Sequence, residues 1–192
     1  MFTGIVQGKG RILSISEAES VWTFVIALPN IEGLARGASV AINGVCLTAT
    51  EIDGSNVAFD VIQETLHRTN LSNLSVDDNV NVERSLKMGD ELGGHLLSGH
   101  IMGIGEITHK ATVGEAVDMT VEAPLSMMKY GHEKGYIGLN GASLTIGKVN
   151  DNRFNIHLIP ETLRLTTFET VATGDAINIE IDARTPTAVS YT

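Results

Sequence analysis

The chain of 192 residues carries one sequence pattern twice. Residues 37–83 align with residues 134–180 at a constant offset of 97 and without a gap. Of these 47 aligned positions, 12 are identical: Asn43/Asn140, Gly44/Gly141, Leu47/Leu144, Thr48/Thr145, Ile62/Ile159, Glu64/Glu161, Thr65/Thr162, Leu66/Leu163, Thr69/Thr166, Asp78/Asp175, Asn81/Asn178 and Glu83/Glu180. Identities that keep register over so long a span indicate a duplicated domain. A duplicated domain offers two similar pockets.

The two copies also begin alike. TGIVQGKG at residues 3–10 aligns with SGHIMGIG at residues 98–105, here at an offset of 95. We therefore predict a first domain over residues 1–90, a second over residues 91–184, and a tail over residues 185–192. Each domain is small but long enough to enclose its own core.

Charge and composition exclude several classes of protein. The formal net charge is −10 and the sequence pI is about 4.9, whereas a nucleic-acid-binding protein needs a basic face. The longest apolar runs are too short to span a membrane. MFTGIVQG, the first eight residues, lacks the pattern of a signal peptide. The single cysteine rules out an internal disulfide. These features predict a cytoplasmic protein with no nucleic-acid or membrane partner.

Alternation of apolar and polar residues with a period of two predicts an all-β chain. Residues 48–62 read as two strands around Asp53-Gly54, which is a strong hairpin signal, and residues 145–159 repeat the pattern around residues 150–152. Short strands at regular spacing, with 20 glycines and four prolines, favour small closed barrels. Residues 64–71 and 161–168 are each predicted to form a short helix or turn.

Differences between matching positions identify candidate reactive residues. Cys46 in NGVCLT occupies the place of Ser143 in NGASLT, so the two residues resemble two versions of one pocket. The alternative is that Cys46 is a small buried hydrophobic residue, because no histidine adjoins it in sequence to activate a thiolate.

The second copy also gains histidines. His100 replaces Ile5, His157 replaces Asp60, and His95 has no counterpart in the first copy. His95 and His100 are five residues apart, which sends them to opposite faces of a strand, so a zinc site is not predicted. His100 beside a pocket is suited to proton transfer near neutral pH. The alternative is a hydrogen-bonded structural histidine.

Several strings, taken together, resemble the riboflavin synthase family. They run in order from residue 1 to about residue 182: MFTGIVQG, NGVCLT, ETLHRTNL, NVER, GGHLLSGHIMG, KGYIGLNGASLT, HLIPETLRLTT and NIEID. The resemblance implies two six-stranded Greek-key barrels, usually followed by a C-terminal helix that helps to build a homotrimer. It also implies the conversion of two molecules of 6,7-dimethyl-8-ribityllumazine into riboflavin and 5-amino-6-ribitylamino-uracil by transfer of a four-carbon unit, with no metal or other cofactor. In the family, the working site pairs the first barrel of one subunit with the second barrel of a neighbour.

The resemblance also implies the site residues. Polar groups near the reacting centres would be Cys46, His100, Ser143 and Asp182, with Phe2 beside the join as a further residue important for activity. Substrate contacts assigned to the first barrel are Gly4, Ile5, Val6, Ser39, Cys46, Leu47, Thr48, Asp60, Val61, Ile62, Gln63, Glu64 and Thr65. Those assigned to the second barrel are Gly99, His100, Ile101, Lys134, Ser143, Leu144, Thr145, Ile159, Pro160, Glu161, Thr162, Leu163 and Arg164.

The end of the chain departs from this pattern. ARTPTAVSYT at residues 183–192 contains Pro186 and no apolar stripe, so the C-terminal helix is predicted to be absent and the trimer weakened. Two alternative functions follow from the same architecture. One is a lumazine- or flavin-binding antenna protein that does not turn its ligand over. The other is a flavin-binding barrel of a reductase, which fits the barrels but not the duplication.

Overall fold

The computed structural model describes residues 1–182. The tail predicted from residue 185 lies outside that range, as do all of the residues 183–192 on which the missing-helix prediction rests. Its first half contains six strands: β1 (Gly8–Glu17), β2 (Val21–Ala27), β3 (Ser39–Ile42), β4 (Val45–Asp53), β5 (Asn56–Ile62) and β6 (Asn79–Arg84). They close into an antiparallel barrel in the order β1-β2-β5-β4-β3-β6, because β1 pairs with both β2 and β6. The predicted hairpin is the β4–β5 pair, which turns at Gly54.

The second half repeats this arrangement. Its strands are β7 (Gly103–Val113), β8 (Ala116–Glu122), β9 (Tyr136–Leu139), β10 (Ala142–Thr145), β11 (Val149–Asn150), β12 (Arg153–Leu158) and β13 (Ala176–Ile181). They form a barrel-like sheet in the order β10-β9-β13-β7-β8-β12-β11. The prediction of an all-β chain with two tandem barrels is confirmed.

The second sheet has seven strands because the counterpart of β4 is broken into β10 and β11. The break coincides with a bulge in the first barrel, where the β4–β5 register shifts between Ala49 and Glu51. At the equivalent place Gly147 donates its backbone N–H to the carbonyl of Asn155, outside regular pairing. A bulge thus becomes a complete interruption in the second copy.

Short helices follow β5 and β12, as predicted. They are α1 (Gln63–Arg68) and α3 (Pro160–Leu165), each succeeded by a 3-10 turn, at Asn70–Asn73 and Thr167–Glu169. One further helix, α2 (Leu125–Met128), follows β8. Within the described residues, no helix is long and apolar enough to cross a membrane.

Each barrel has its own core, and both cores are mainly aliphatic. Phe24 and Phe59 are buried among aliphatic residues in the first barrel, and Phe154 and Phe168 in the second. The alternation of buried and exposed residues along the strands places the apolar set inside.

The barrels meet through contacts that occur twice with the halves exchanged. Phe2 and Leu97, equivalent at the offset of 95, pair with each other as an isolated antiparallel bridge. The turns at Asn43-Gly44 and Asn140-Gly141 face each other, with left-handed backbone at all four residues. Such reciprocal contacts indicate approximate two-fold symmetry between the barrels.

Buried asparagines complete this interface. The Asn81 amide donates to the carbonyl of Asn140 at 2.9 Å and accepts from the backbone N–H of Thr167 at 2.7 Å. Conversely, the Asn178 amide donates to the carbonyl of Asn43 at 2.9 Å and accepts from the backbone N–H of Asn70 at 2.7 Å. Backbone groups of each barrel are therefore satisfied by side chains of the other.

Candidate active site

Both barrels open at one equivalent place because two neighbouring strands part. In the first barrel, the pairing of β4 with β5 starts only at Ala49 and Phe59, which leaves residues 45–48 and residues 60–62 unpaired with each other. In the second, β10 pairs with β9 and not with β12, and the side of β12 that does not face β8 is paired only with the short strand β11. We call these gaps the first notch (residues 45–48 and 60–62) and the second notch (residues 142–145 and 157–159).

Polar and potentially reactive side chains face outward at the notches. Cys46 and Thr48 on β4, and Asp60 on β5, are half-buried or exposed at the first notch. At the second notch Ser143 is half-buried and Thr145 is exposed. The strand alternation puts every second residue on the outer face, so these side chains are available to a ligand.

The same alternation turns three predicted contact residues toward the cores. Leu47 and Val61 are almost fully buried in the first barrel. Leu144 packs against the core of the second barrel. Their side chains therefore support the notches from inside, and only their backbone groups lie along the gaps.

The segment that lies against each notch comes from the opposite half of the chain, whereas the sequence analysis listed the substrate contacts half by half. The carbonyl of Gly99 accepts the backbone N–H of Cys46 at 2.9 Å, and Ile101 packs against the core of the first barrel. Reciprocally, the carbonyl of Gly4 accepts the N–H of Ser143 at 2.8 Å, and Val6 belongs to the core of the second barrel. Residues 99–101 thus belong with Cys46, and residues 4–6 with Ser143.

These approaches require glycine at both positions. Gly4 and Gly99 have φ of +73° and +81°, which an L-residue rarely adopts. A Cβ on Gly4 would lie 2.5 Å from Cβ of Ser143, and one on Gly99 would lie 2.5 Å from Cβ of Cys46. Gly99 also lies close to the ring of Phe2, which is buried between the barrels.

His95 is the residue that sequence reasoning left without a role. Its Nδ1 lies 2.6 Å from Oγ of Ser143, and its buried ring stacks on Tyr136 with centroids 5.4 Å apart. A histidine within hydrogen-bond distance of a serine hydroxyl is an arrangement suited to proton transfer. The signal in the sequence was its lack of a counterpart in the first copy.

His100 occupies a different place. It is exposed, and it follows Gly99, so it belongs to the segment beside Cys46. Its backbone N–H donates to Oγ of Ser98 at 3.1 Å. The structure therefore associates His95 with the second notch and His100 with the first.

The remaining predicted residues surround the notches or lie apart from them. Ser39 opens β3 opposite Thr48. Lys134 is exposed with φ of +66°, and its N–H donates to the carbonyl of Ile146. Asp182 is buried directly after β13. The helical residues Gln63, Glu64, Thr65, Pro160, Glu161, Thr162, Leu163 and Arg164 form the turns that follow the notch strands.

Cross-strand pairs at the two notches differ in charge. In the first barrel Thr23 donates to the carboxylate of Asp60 at 2.7 Å. In the second, Asp118 lies 2.6 Å from Nδ1 of His157. On α3, which follows the strand of His157, Arg164 donates to Glu161, and this bond lowers the pKa of the exposed Glu161 carboxyl. The notches are thus alike in backbone and different in their polar groups.

A further concave space lies away from the notches. A cleft of about 600 Å³ between the barrels is lined by amides and carboxylates, including Asn70, Asp78 and Asp175. It contains none of the predicted site residues.

Comparison with known proteins assigns the chain to a family. A sequence model of the lumazine binding domain matches the chain twice, at residues 3–85 and 98–182. Riboflavin synthase of Escherichia coli strain K12 is 50% identical over 192 residues, which cover 98% of this chain and 90% of that protein. The chain belongs to the riboflavin synthase family. Riboflavin synthase of Buchnera aphidicola subsp. Schizaphis graminum is 43% identical over 195 residues, covering 100% of this chain and 94% of the relative.

Membership of the riboflavin synthase family makes the chain a transferase, so the prediction of an enzyme is confirmed. Solved structures agree on the fold. LumP complexed with riboflavin superposes with a TM-score of 0.89 at 28% identity, covering 94% of this chain and 99% of that one. LumP complexed with 6,7-dimethyl-8-(1'-D-ribityl) lumazine gives a TM-score of 0.86 at 27% identity, with the same coverage.

Proposed function

We propose that the chain is a riboflavin synthase that binds one molecule of 6,7-dimethyl-8-ribityllumazine at each notch and transfers a four-carbon unit from one molecule to the other. The observation that carries the proposal is the construction of two notches by the same backbone contacts. Because the two reactants are the same compound, two pockets of one shape suit them. The products would be riboflavin and 5-amino-6-ribitylamino-uracil.

The reaction does not require a strong base from the protein. The C7 methyl of the lumazine is acidic because its conjugated ring stabilises the resulting carbanion. Correct placement of two rings supplies a large part of the acceleration, since well-oriented intramolecular reactions reach effective molarities of about 10⁵ to 10⁸ M. The enzyme needs chiefly to hold two heterocycles against each other and to move protons between them.

The polar groups at the two notches have different roles in this reaction. The His95–Ser143 pair at the second notch, with Nδ1 and Oγ 2.6 Å apart, is suited to move a proton to or from the bound ring. At the first notch, Cys46 offers a thiol as a nucleophile or as a donor to a leaving group, and His100 on the adjacent segment is exposed to handle protons. Ser143 does not need to be a strong nucleophile in this scheme.

Turnover decides between this proposal and its main alternative. The structurally similar LumP has been solved in complex with riboflavin and with the lumazine. The second candidate is therefore a protein that binds these ligands without converting them. Mixing the protein with the lumazine is expected to produce riboflavin absorbance. A spectral shift of the lumazine without riboflavin would support the binding protein instead.

Substitutions then assign the roles. Cys46→Ser, Ser143→Ala and His100→Gln are each expected to slow riboflavin formation, whereas Lys9→Gln, on the exposed surface of β1, serves as a control. Turnover at the wild-type rate in both Cys46→Ser and His100→Gln would remove both residues from the mechanism.

The homotrimer remains part of the proposal, as does the cytoplasmic location. If the reaction joins the first notch of one subunit to the second notch of its neighbour, mixing Cys46→Ser with Ser143→Ala subunits restores about one working site in four. A mixture with no more activity than its components would place both reacting notches in one subunit. Light scattering on the same samples measures the oligomeric state.

A further inference from the structure

Two glutamates are buried at equivalent places in the two halves. Glu83 lies on β6 and Glu180 on β13, with 3% and 5% of their surface exposed. They are one of the identical pairs in the repeat, yet neither lines a notch. Buried glutamates are uncommon unless their charge has partners.

Each carboxylate is fully engaged by the segment that opens its own half. Glu83 accepts from the backbone N–H of Thr3 at 2.6 Å, from its hydroxyl at 2.8 Å, and from the N–H of Gly4 at 3.0 Å. Glu180 accepts from Ser98 in the same way, at 2.6 Å and 2.7 Å, and from the N–H of Gly99 at 3.0 Å. Three charge-assisted bonds to two consecutive residues hold a segment more firmly than a single neutral bond would.

The segments so held act on the opposite barrel. Gly4, bound to Glu83 of the first barrel, lies against Ser143 of the second. Gly99, bound to Glu180 of the second barrel, lies against Cys46 of the first. Each carboxylate is therefore one residue away from a notch that belongs to the other half of the chain.

Little freedom exists at these contacts. With φ near +73° and +81°, Gly4 and Gly99 place their backbone where even one added carbon would overlap Ser143 or Cys46. A shift of the segment by a fraction of an ångström changes the shape of the notch directly, because the glycine backbone is in contact with the backbone of the notch strand.

Burial of these charges has a free-energy cost. Desolvation raises the pKa of both carboxyls above the usual 4.5, even though the hydrogen bonds act in the other direction. The charged groups that face them are the N-terminal ammonium for Glu83 and His100 for Glu180, and both favour the carboxylate. A neutral residue would avoid the desolvation cost, so a role in stability alone does not account for the charge.

We propose that Glu83 and Glu180 are positioning residues that act crosswise: each holds, from one barrel, the segment that shapes the ligand notch of the other. The inference rests on the proposed function, since it assigns the notches to the two substrate molecules. It predicts that Glu83 determines the shape of the second notch and that Glu180 determines the shape of the first.

Cys46 is the one cysteine of the chain and reports on the first notch. We expect Glu180→Gln to change the rate at which an aromatic disulfide reagent labels Cys46 by at least about threefold, because the segment that covers the thiol opens more often. Glu83→Gln is expected to leave that rate unchanged. Labelling at increasing alkaline pH, up to the pH at which the rate no longer rises, separates opening of the segment from a change in ionisation.

The reporter can be moved to the second notch. In a Cys46→Ser, Ser143→Cys background, Glu83→Gln is expected to change labelling and Glu180→Gln to leave it unchanged. Thr3→Ala and Ser98→Ala retain the carboxylates and remove one donor each, so they should give smaller changes with the same crossed pattern. They also keep the test decisive if a glutamine variant does not fold.

Equal effects of both glutamates on one reporter, effects confined to the same barrel, or no effect on either reporter would overturn the proposal. Thiol labelling requires no turnover, so it is independent of whether the wild-type protein makes riboflavin. Where it does, kcat is expected to fall about tenfold or more in each glutamine variant, as expected for misplaced reactants. A fall in urea stability with unchanged labelling would indicate a purely structural role.

Discussion

Substituting Gly44 by alanine tests how closely the two barrels approach. A Cβ on Gly44 would lie 2.6 Å from the backbone nitrogen of Gly141 and 2.9 Å from its Cα. No flexible side chain can move aside, because the atoms in contact are backbone atoms of the facing turn. The φ of Gly44 is +80°, so alanine would also be strained there.

The magnitude follows from two terms. Left-handed backbone costs an L-residue about 1–2 kcal/mol. Forcing the turns apart resembles overpacking of a core, which costs about 1–3 kcal/mol. We therefore expect Gly44→Ala to lower the free energy of unfolding by about 2–5 kcal/mol, which is a large part of the stability of an ordinary domain.

Gly37→Ala is the matched control. Gly37 has a φ of +87°, and a Cβ there would meet no atom within 4 Å. The control contains the backbone term alone, so the difference between the two variants measures the contact between the barrels. Urea unfolding curves supply both values from their midpoints and slopes. Equal destabilisation of the two variants would refute the close approach described here.

Three further expectations follow. Asn81→Ala leaves two buried backbone groups of the other barrel without partners and should cost about 2–4 kcal/mol, measured by urea unfolding against the exposed Asn79→Ala on the same strand. Burial raises the pKa of Glu180, so its contribution to stability is fully present below about pH 4.5 and is lost as the pH rises through the folded-state pKa. The free energy of unfolding of Glu180→Gln should therefore increase relative to that of the wild type from about pH 4.5 to neutrality. A difference that stays constant with pH would contradict the sign. If the Ser143–His95 pair transfers a proton, His95→Gln should lower kcat by about a hundredfold or more with a smaller change in KM, and an unchanged pH–rate profile would remove His95 from that role.

Much of the fold could be predicted from local patterns. The Asp53-Gly54 hairpin, the short helices after β5 and β12, and the two barrels follow from turn chemistry, alternation and the repeat, all of which act over a few residues. The interruption between β10 and β11 was not predicted, because Gly147 in one copy and Thr50 in the other do not by themselves distinguish a bulge from a break.

The site was predicted only in part. Cys46 and Ser143 were found because a difference between equivalent positions is visible in the sequence. The partner of Ser143 was not, since His95 lies 48 residues away and no spacing rule relates the two.

The sequence by itself determined that this chain is a duplicated all-β protein with two similar pockets, because a repeat and a period of two are properties of neighbouring residues. Only the tertiary structure decided which segment serves which pocket. Reading each half as a self-contained unit assigns Gly4 to Cys46 and Gly99 to Ser143, whereas the folded chain exchanges them. The physical reason is that the exchange depends on close packing of two barrels about an approximate two-fold axis. Such packing is stabilised by hydrogen bonds between residues of different halves, such as Cys46 with Gly99 and Ser143 with Gly4, for which the linear order carries no signal.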